Sequence, residues 1–368
     1  MRPSRVLIAL IAAAVPVFAQ ESTSSKPVRH VLSIGDYPNV SGLRINFRDR
    51  ALGEVHGANV TIWTPYGGEA GGSVKGIALG LPLTSAGSIR GIATGVFGAA
   101  AERELHGIGI APVGIGAGSR LKGIAVGGVG VGAGGTVEGI ALGGIGAGAG
   151  GNVRGIVGGG VGAGIGGNLR GIALGGIGVG SGGDVRGAVI GGIGAGIGGD
   201  FQGIGVGGIG VGAGGSGRGV LLSGVGGGVG GSFRGIGVSG IGFGVGGTLR
   251  GLAVSGIGIG AGTEIDGVAV AGLGIGSPSI RKLAIASVVG AQRMNGLILA
   301  PALSRLEKGG RMRGVSVSTI NAMRGQQTGL TIGIVNYARE LDGMQIGVIN
   351  IARNANVKFL PIVNYHRE

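Results

Sequence analysis

Residues 152–167 read Asn152-Val153-Arg154-Gly155-Ile156-Val157-Gly158-Gly159-Gly160-Val161-Gly162-Ala163-Gly164-Ile165-Gly166-Gly167, and close copies stand on both sides at the same spacing. The register is easiest to follow through one glycine, found at Gly91, Gly107, Gly123, Gly139, Gly155, Gly171, Gly187, Gly203, Gly219, Gly235, Gly251 and Gly267, always 16 residues apart. An earlier marker, Gly76, is one residue out of step. A fixed period of this length is the signature of a repeat architecture, and it outranks any local propensity.

Within a unit the apolar residues alternate. Ile172 and Leu174 form one short set, Ile177, Val179 and Ser181 the next, with Gly175-Gly176 between them and Gly182-Gly183-Asp184 after them. Period-two alternation bounded by glycine pairs reads as two short strands joined by turns. A helix fits poorly, because each glycine in a helix costs about 1 kcal/mol relative to Ala. The 16-residue unit therefore predicts one coil of an all-β, glycine-rich β-solenoid, narrow and two-sided, with Ile, Val, Leu and Ala pointing inward. A single coil buries almost nothing; stacking at about 4.8 Å makes the apolar column continuous and turns stability into a sum over neighbours. About 18 coils would give a rod roughly 85 Å long. The alternative is a transmembrane β-barrel with one strand and one turn per unit. Such a barrel calls for aromatic girdles, yet the chain is only 3% aromatic with a single Trp, Trp63. Its would-be lumen positions are mostly glycine, and the arginines keep to one end of every unit.

The composition excludes several other classes. Glycine supplies 97 of 368 residues, but it does not fall at every third position and there are only 10 Pro, so the chain is not collagen-like. Plentiful, regularly spaced aliphatic residues (43% hydrophobic overall) argue against disorder. Without Cys there is neither a disulfide framework nor a lipidation site.

The start reads Met1-Arg2-Pro3-Ser4-Arg5, then an apolar run from Val6 to Val17, then Phe18-Ala19-Gln20. That is the layout of a secretory signal peptide, cut after Ala19, and the run is too short to span a bilayer comfortably. Four segments follow: a leader at 1–19, an irregular N-terminal cap at 20–72, the regular array at 73–282, and divergent repeats with a C-terminal cap at 283–368. Beyond Gly267 the period slips, and Lys282-Leu283 stands where Arg-Gly is expected. Asn recurs at Asn321, Asn336, Asn350 and Asn364, each in a similar setting. Stacked Asn side chains can hydrogen-bond from coil to coil, so these four predict a structural ladder.

The C-terminal segments Gly329-Leu330-Thr331-Ile332-Gly333-Ile334-Val335-Asn336, Gln345-Ile346-Gly347-Val348-Ile349-Asn350 and Phe359-Leu360-Pro361-Ile362-Val363-Asn364-Tyr365 resemble the glycine-rich surface-repeat proteins of spirochaetes and Bacteroidetes. The resemblance covers the last part of the chain and is compositional elsewhere. It implies an exported, surface-associated protein (bacterial cell surface, outer membrane or periplasm) and lends no activity or residue roles.

Formal charge is +14, and loss of Arg2 and Arg5 with the leader would leave +12. The residue before the marker glycine is Arg90, Lys122, Arg154, Arg170, Arg186, Arg218, Arg234 or Arg250, and His106, Glu138, Gln202 or Asp266 in the other units. In a solenoid these residues line up as one ridge, relieved every fourth coil at Glu138, Gln202 and Asp266. The ridge reads either as a solvated edge that keeps an apolar rod in solution or as a linear stripe for polyanions such as anionic glycan or lipopolysaccharide, since arginine forks suit phosphate and carboxylate. Nucleic acid is a poor fit, for want of interleaved aromatics and because of the export signal. Self-association through flat glycine-rich faces or rod ends is also compatible with the pattern.

No catalytic apparatus is legible, and the chain is not expected to be an enzyme or to carry a cofactor. Gly-x-Gly-x-x-Gly matches are inevitable at this glycine density, and no phosphate loop with Lys-Ser/Thr is present. His30, His56, His106 and His366 lie far apart without zinc spacing, and the acidic residues form no calcium loop. Ser304 and Ser316 have no evident base partner.

Overall fold

The computed structural model describes residues 31–64 and 71–367; the leader read at residues 1–19 lies outside them. The described residues form strands and no helix, stacked in parallel as a β-solenoid of about 19 turns rather than a barrel. One coil shows the construction. A longer strand, Leu169–Gly175, is followed by a tight turn and a shorter one, Gly178–Ser181. Each pairs with its equivalent in the next coil, Leu169 beside Val185, Gly171 beside Gly187 and Val179 beside Ala195. The backbone hydrogen bonds therefore run along the rod, as from the Ile193 N–H to the Ile177 carbonyl at 2.7 Å.

The marker glycine is a corner. Gly171 has φ +137°, and a Cβ there would run into the carbonyl of Gly155 in the coil below. Only glycine holds this left-handed conformation without strain. The corner interrupts the simple alternation. Leu169 and Ala173, four residues apart, are both fully buried, whereas Ile172 is 38% and Leu174 40% exposed. The sequence pattern puts Ile172, Leu174 and Ile177 in the core; the structure turns all three outward, with Ile177 at 51% exposure. The bend at Gly171 is the reason, because it resets which side of the strand faces in. It also gives the coil an extra outward face, so the longer strand lies along two faces and the shorter strand along a third.

The column inside is built from Leu169, Ala173 and Val179 and their equivalents, and it is packed by size. Phe201 is answered by Gly205, where a Cβ would meet Leu221 Cδ2 at 2.7 Å and Phe201 Cζ at 3.5 Å. A large residue on one coil is thus accommodated by a small one beside it.

The stack reaches into the segment set apart by sequence as an irregular cap. Strand Val40–Arg48 pairs in parallel with Glu54–Trp63, with Gly42 opposite Gly57 and Gly57 opposite Gly76, all three at positive φ. The core of these first coils is polar. Arg44 is completely buried and held by Asp49, by the Asn59 Oδ1 at 2.9 Å, by Asp36 at 2.6 Å and by the Tyr37 carbonyl at 2.8 Å. Such a charge is tolerable only because its donors are matched.

At the other end the coil length varies, first shortening from Gly267 to Lys282 and Gly296 and then lengthening from Gly296 to Gly314. Gly267 pairs with Lys282, and Asp266 with Arg281. Arg281-Lys282 therefore stands at the Arg-Gly position, a correction of one residue to the reading that put Lys282-Leu283 there; a shortened coil is the cause. Strand pairing is then continuous from Val288 to Ile332, carried round corners at Gly296, Gly314 and Gly329. The last strand, Phe359–His366, turns back and pairs antiparallel with Val335–Ala352. Within it Pro361 has no N–H to offer and Ile362 lies at φ +69°. Both features spoil the outer edge as a template for another strand.

Candidate functional site: a basic ridge on the polar face

Parallel stacking at a constant offset places the same position of each coil directly over its neighbour. Arg90 thus lies beside His106 and then Lys122, Lys122 beside Glu138 and then Arg154. Arg154, Arg170 and Arg186 follow in unbroken register, then Gln202, Arg218, Arg234 and Arg250. All eight basic residues read from the sequence fall on one line, with their side chains exposed. The line is longer than the spacing suggested. Lys75 pairs with Arg90, and Arg281 with Asp266. Both were missed because each sits in a coil one residue short of the period.

The ridge is not uniform along its length. At its C-terminal end acids answer it: Asp266 lies 4.0 Å from Arg250 and 3.1 Å from Lys282, and Glu264 lies 3.2 Å from Arg281. At its N-terminal end exposed Glu54 takes His56 and Lys75, and these hydrogen bonds hold its carboxyl below the usual range. In the middle, among the described residues, Arg154, Arg170, Arg186, Arg218 and Arg234 enter no ion pair.

The nearest acids there are turned to a different task. Asp184 Oδ1 accepts the backbone N–H of Asp200 at 2.9 Å, and Asp200 Oδ1 accepts that of Ser216 at 2.7 Å. The same bond links Asn152 to Asn168 at 2.8 Å, Asn168 to Asp184 at 2.7 Å, and Ser232 to Thr248 at 3.1 Å. This side chain-to-backbone ladder climbs the array two residues before the arginine row. Sequence reading assigned its members to turns; the recurring Asn, Asp or Ser three residues before the marker glycine is the signal that could have found it.

A groove of ≈390 Å³ runs along this face, with Arg186, Arg218, Arg234 and Arg250 among its walls and Asp184 and Asp200 beside them. Its lining includes Gly217, which stands between Phe201 and Phe233 where other coils carry a bulky residue. That position faces inward, and the Phe233 ring fills it, 2.9 Å from where a Cβ of Gly217 would stand. No family model, curated protein or solved structure matches the chain. The arrangement must therefore be read from its own chemistry: a row of donors repeating at about 4.8 Å, each able to make two parallel hydrogen bonds to phosphate or carboxylate.

The asparagines expected to form a ladder are buried at the C-terminal end. Asn321 Nδ2 donates to Asn336 Oδ1 at 2.7 Å, and Asn336 Nδ2 to Asn350 Oδ1 at 2.7 Å. The second hydrogens go to the carbonyls of Ile332 and Ile346, each at 3.0 Å. Asn364 does not extend this ladder. It lies opposite Gln345 on the strand that turns back, so the coil spacing no longer applies to it. A second buried pair, Gln345 Nε2 to Gln327 Oε1 at 3.2 Å, was not foreseen. Ser304 and Ser316 are likewise buried and bonded to each other at 2.9 Å, with Ser316 also donating to Asn321. These side chains hold coils together and reach no open surface.

Proposed function

We propose that this chain is an exported structural or surface-interaction protein that uses its arginine ridge to hold anionic surface polymers, such as acidic glycan or lipopolysaccharide. The observation that carries the reading is the register of Arg154, Arg170 and Arg186, three like charges stacked coil on coil with no acid paired to them. Like charges at that spacing repel, and screening relieves this only in part. Nearby Asp184 and Asp200 could have neutralised the row but bond to backbone instead. A polyanion would supply the missing countercharge and convert repulsion into binding energy. The leader-like start and the resemblance of the last coils to surface-repeat proteins support a place outside the cytoplasm. No catalytic role is proposed.

The test is retention on immobilised polyphosphate, with neutral dextran as control, for the chain and for Arg154→Gln/Arg170→Gln/Arg186→Gln. Exposed charge contacts contribute about 0–1 kcal/mol each, so at about 0.5 kcal/mol apiece the triple variant should bind about tenfold more weakly and the wild type should be released by salt. Equal retention of the two proteins, or retention indifferent to salt, would overturn the reading.

A further inference from the structure

Between Leu105 and Ile280 every charged side chain stands one or three residues before the marker glycine. The rest of each coil carries none. After the corner come two outward aliphatic residues, such as Ile124 and Val126, Ile172 and Leu174, or Ile236 and Val238, at 36–43% exposure. The next turn adds one more, from Val113 through Ile177 to Leu273, at 41–61% exposure. Ten of the eleven successive coils marked by Gly107 to Gly267 repeat this arrangement, and the Gly155 coil has Gly158 in place of the second aliphatic residue. With coils about 4.8 Å apart and four residues spanning about 13 Å, the aliphatic face alone covers roughly 700 Å². The largest apolar patch on an ordinary soluble monomer is about 300–600 Å².

This flank meets the arginine row at the marker corner. Arg170 and Ile172 are separated by Gly171 alone, and the same juxtaposition recurs at Arg154 and Ile156, Arg218 and Val220, and Arg234 and Ile236. The flank also lacks any demand for backbone partners, because its N–H and C=O groups are engaged along the stack, as in the 2.7 Å bond from Ile209 to Ile193. A surface with its backbone internally satisfied, an extended aliphatic face and a basic margin is what the headgroup boundary of a bilayer accepts.

We propose that the rod lies on an anionic lipid surface, its aliphatic flank in the acyl boundary and its arginine row on the lipid phosphates. This rests on the reading of the ridge as an anion-binding element and adds the occupant of the adjoining face. A second copy of the chain could cover about the area a standard interface needs, roughly 800 Å² per partner, but it would leave the arginine row beside that face without a countercharge. A lipid surface satisfies both features.

The experiment is flotation of the full chain with phosphatidylcholine vesicles, with and without phosphatidylglycerol, beside Ile172→Gln/Ile204→Gln/Ile236→Gln. These positions lie in alternate coils and are already exposed, so the new amides neither enter the core nor change the charge of the adjoining arginine row. The wild type should float with the anionic vesicles, and the variant should lose at least about tenfold of that binding while still binding polyphosphate. Retained polyphosphate binding separates failure of the lipid proposal from failure of the ridge. As a check independent of the triple variant, the absence of Cys allows single labels. An environment-sensitive dye at Ile190→Cys should shift to the blue on vesicles, and one at Thr136→Cys on the polar face should not. The proposal falls if the wild type stays at the bottom of the gradient, if the triple variant floats equally well, or if neither dye responds. It also falls if light scattering shows a dimer that the triple variant converts to monomer while neither protein floats, which would make the flank a contact between copies.

Discussion

The regular array and the C-terminal coils solve the same stacking problem with different interiors. In the array, Leu169, Val185 and their equivalents repeat an aliphatic column in which one coil is nearly interchangeable with the next. In the C-terminal coils the interior holds Asn321, Asn336, Asn350, Gln327 and Gln345, all fully buried and joined side chain to side chain. An aliphatic column rewards any register that keeps apolar residues inside. A hydrogen-bonded ladder rewards one register and penalises the rest, since a displaced amide is left without a partner. The polar coils are therefore where the count of the stack is fixed, and the buried Arg44 cluster does comparable work at the other end.

The largest expected effect is one the two regions share. Gly171 in the array and Gly329 among the C-terminal coils both turn a corner at positive φ, with the carbonyl of the preceding coil where a Cβ would go. Gly171→Ala and Gly329→Ala should each cost about 3 kcal/mol or more, from combined strain and clash. Gly180→Ala, in open space on the short strand, should cost close to nothing. Chemical denaturation of the three variants checks this. Equal stability of Gly171→Ala and Gly180→Ala would mean that the corner is not what sets the coil's shape.

The next effect separates the regions. Asn336→Ala removes the central rung, leaving the Asn321 amide and the Asn350 carbonyl oxygen each short of a partner inside the core. A loss of about 2–3 kcal/mol is expected. Removing a whole coil from the array, residues 168–183, should cost less in cooperative stability than that one side chain. The deletion rejoins Gly167 to Asp184, and Asp occupies the same ladder position as Asn168. The rod should shorten by about 4.8 Å and still unfold in one transition. If the deletion unfolds the protein and Asn336→Ala does not, the roles given to the two interiors are reversed.

These contrasts also show what the sequence could and could not reveal. The period, the strand content and the alignment of Arg154, Arg170 and Arg186 were legible because parallel stacking copies sequence spacing directly into space. The ladder through Asn321, Asn336 and Asn350 was legible for the same reason, and Asn364 misled because nothing in its local sequence announces that the chain has reversed. The facing of Ile172 and Leu174 was not legible. Alternation gives two possible sides, and only the left-handed corner at Gly171 decides between them. That one dihedral moved a row of aliphatic residues from the expected core to the surface and created the flank beside the arginine ridge. The early coils were hidden by their own chemistry, because Arg44, Asn46 and Asn59 occupy inward positions where an aliphatic pattern is sought.

The smallest effect lies at the boundary between the regions. Lys282 occupies a corner between Gly267 and Gly296, and it alone among the described corner residues of the stack carries a side chain at positive φ, +81°. A left-handed backbone costs a non-glycine residue about 1–2 kcal/mol. Lys282→Gly removes that strain but gives up a 3.1 Å contact from Nζ to Asp266, with the lysine side chain 66% exposed. An exposed pair of this kind contributes about 0–1 kcal/mol, and the added freedom of glycine in the unfolded chain takes back roughly 0.5–1 kcal/mol. At the centres of these ranges the balance is a gain of about 0.25 kcal/mol, visible as a slightly later denaturation midpoint. Lys282→Ala makes the distinction sharp, because it loses the same ion pair and keeps the strain. If the alanine variant matches the glycine variant, the corner at the boundary is relaxed and Lys282 stands there for its charge alone.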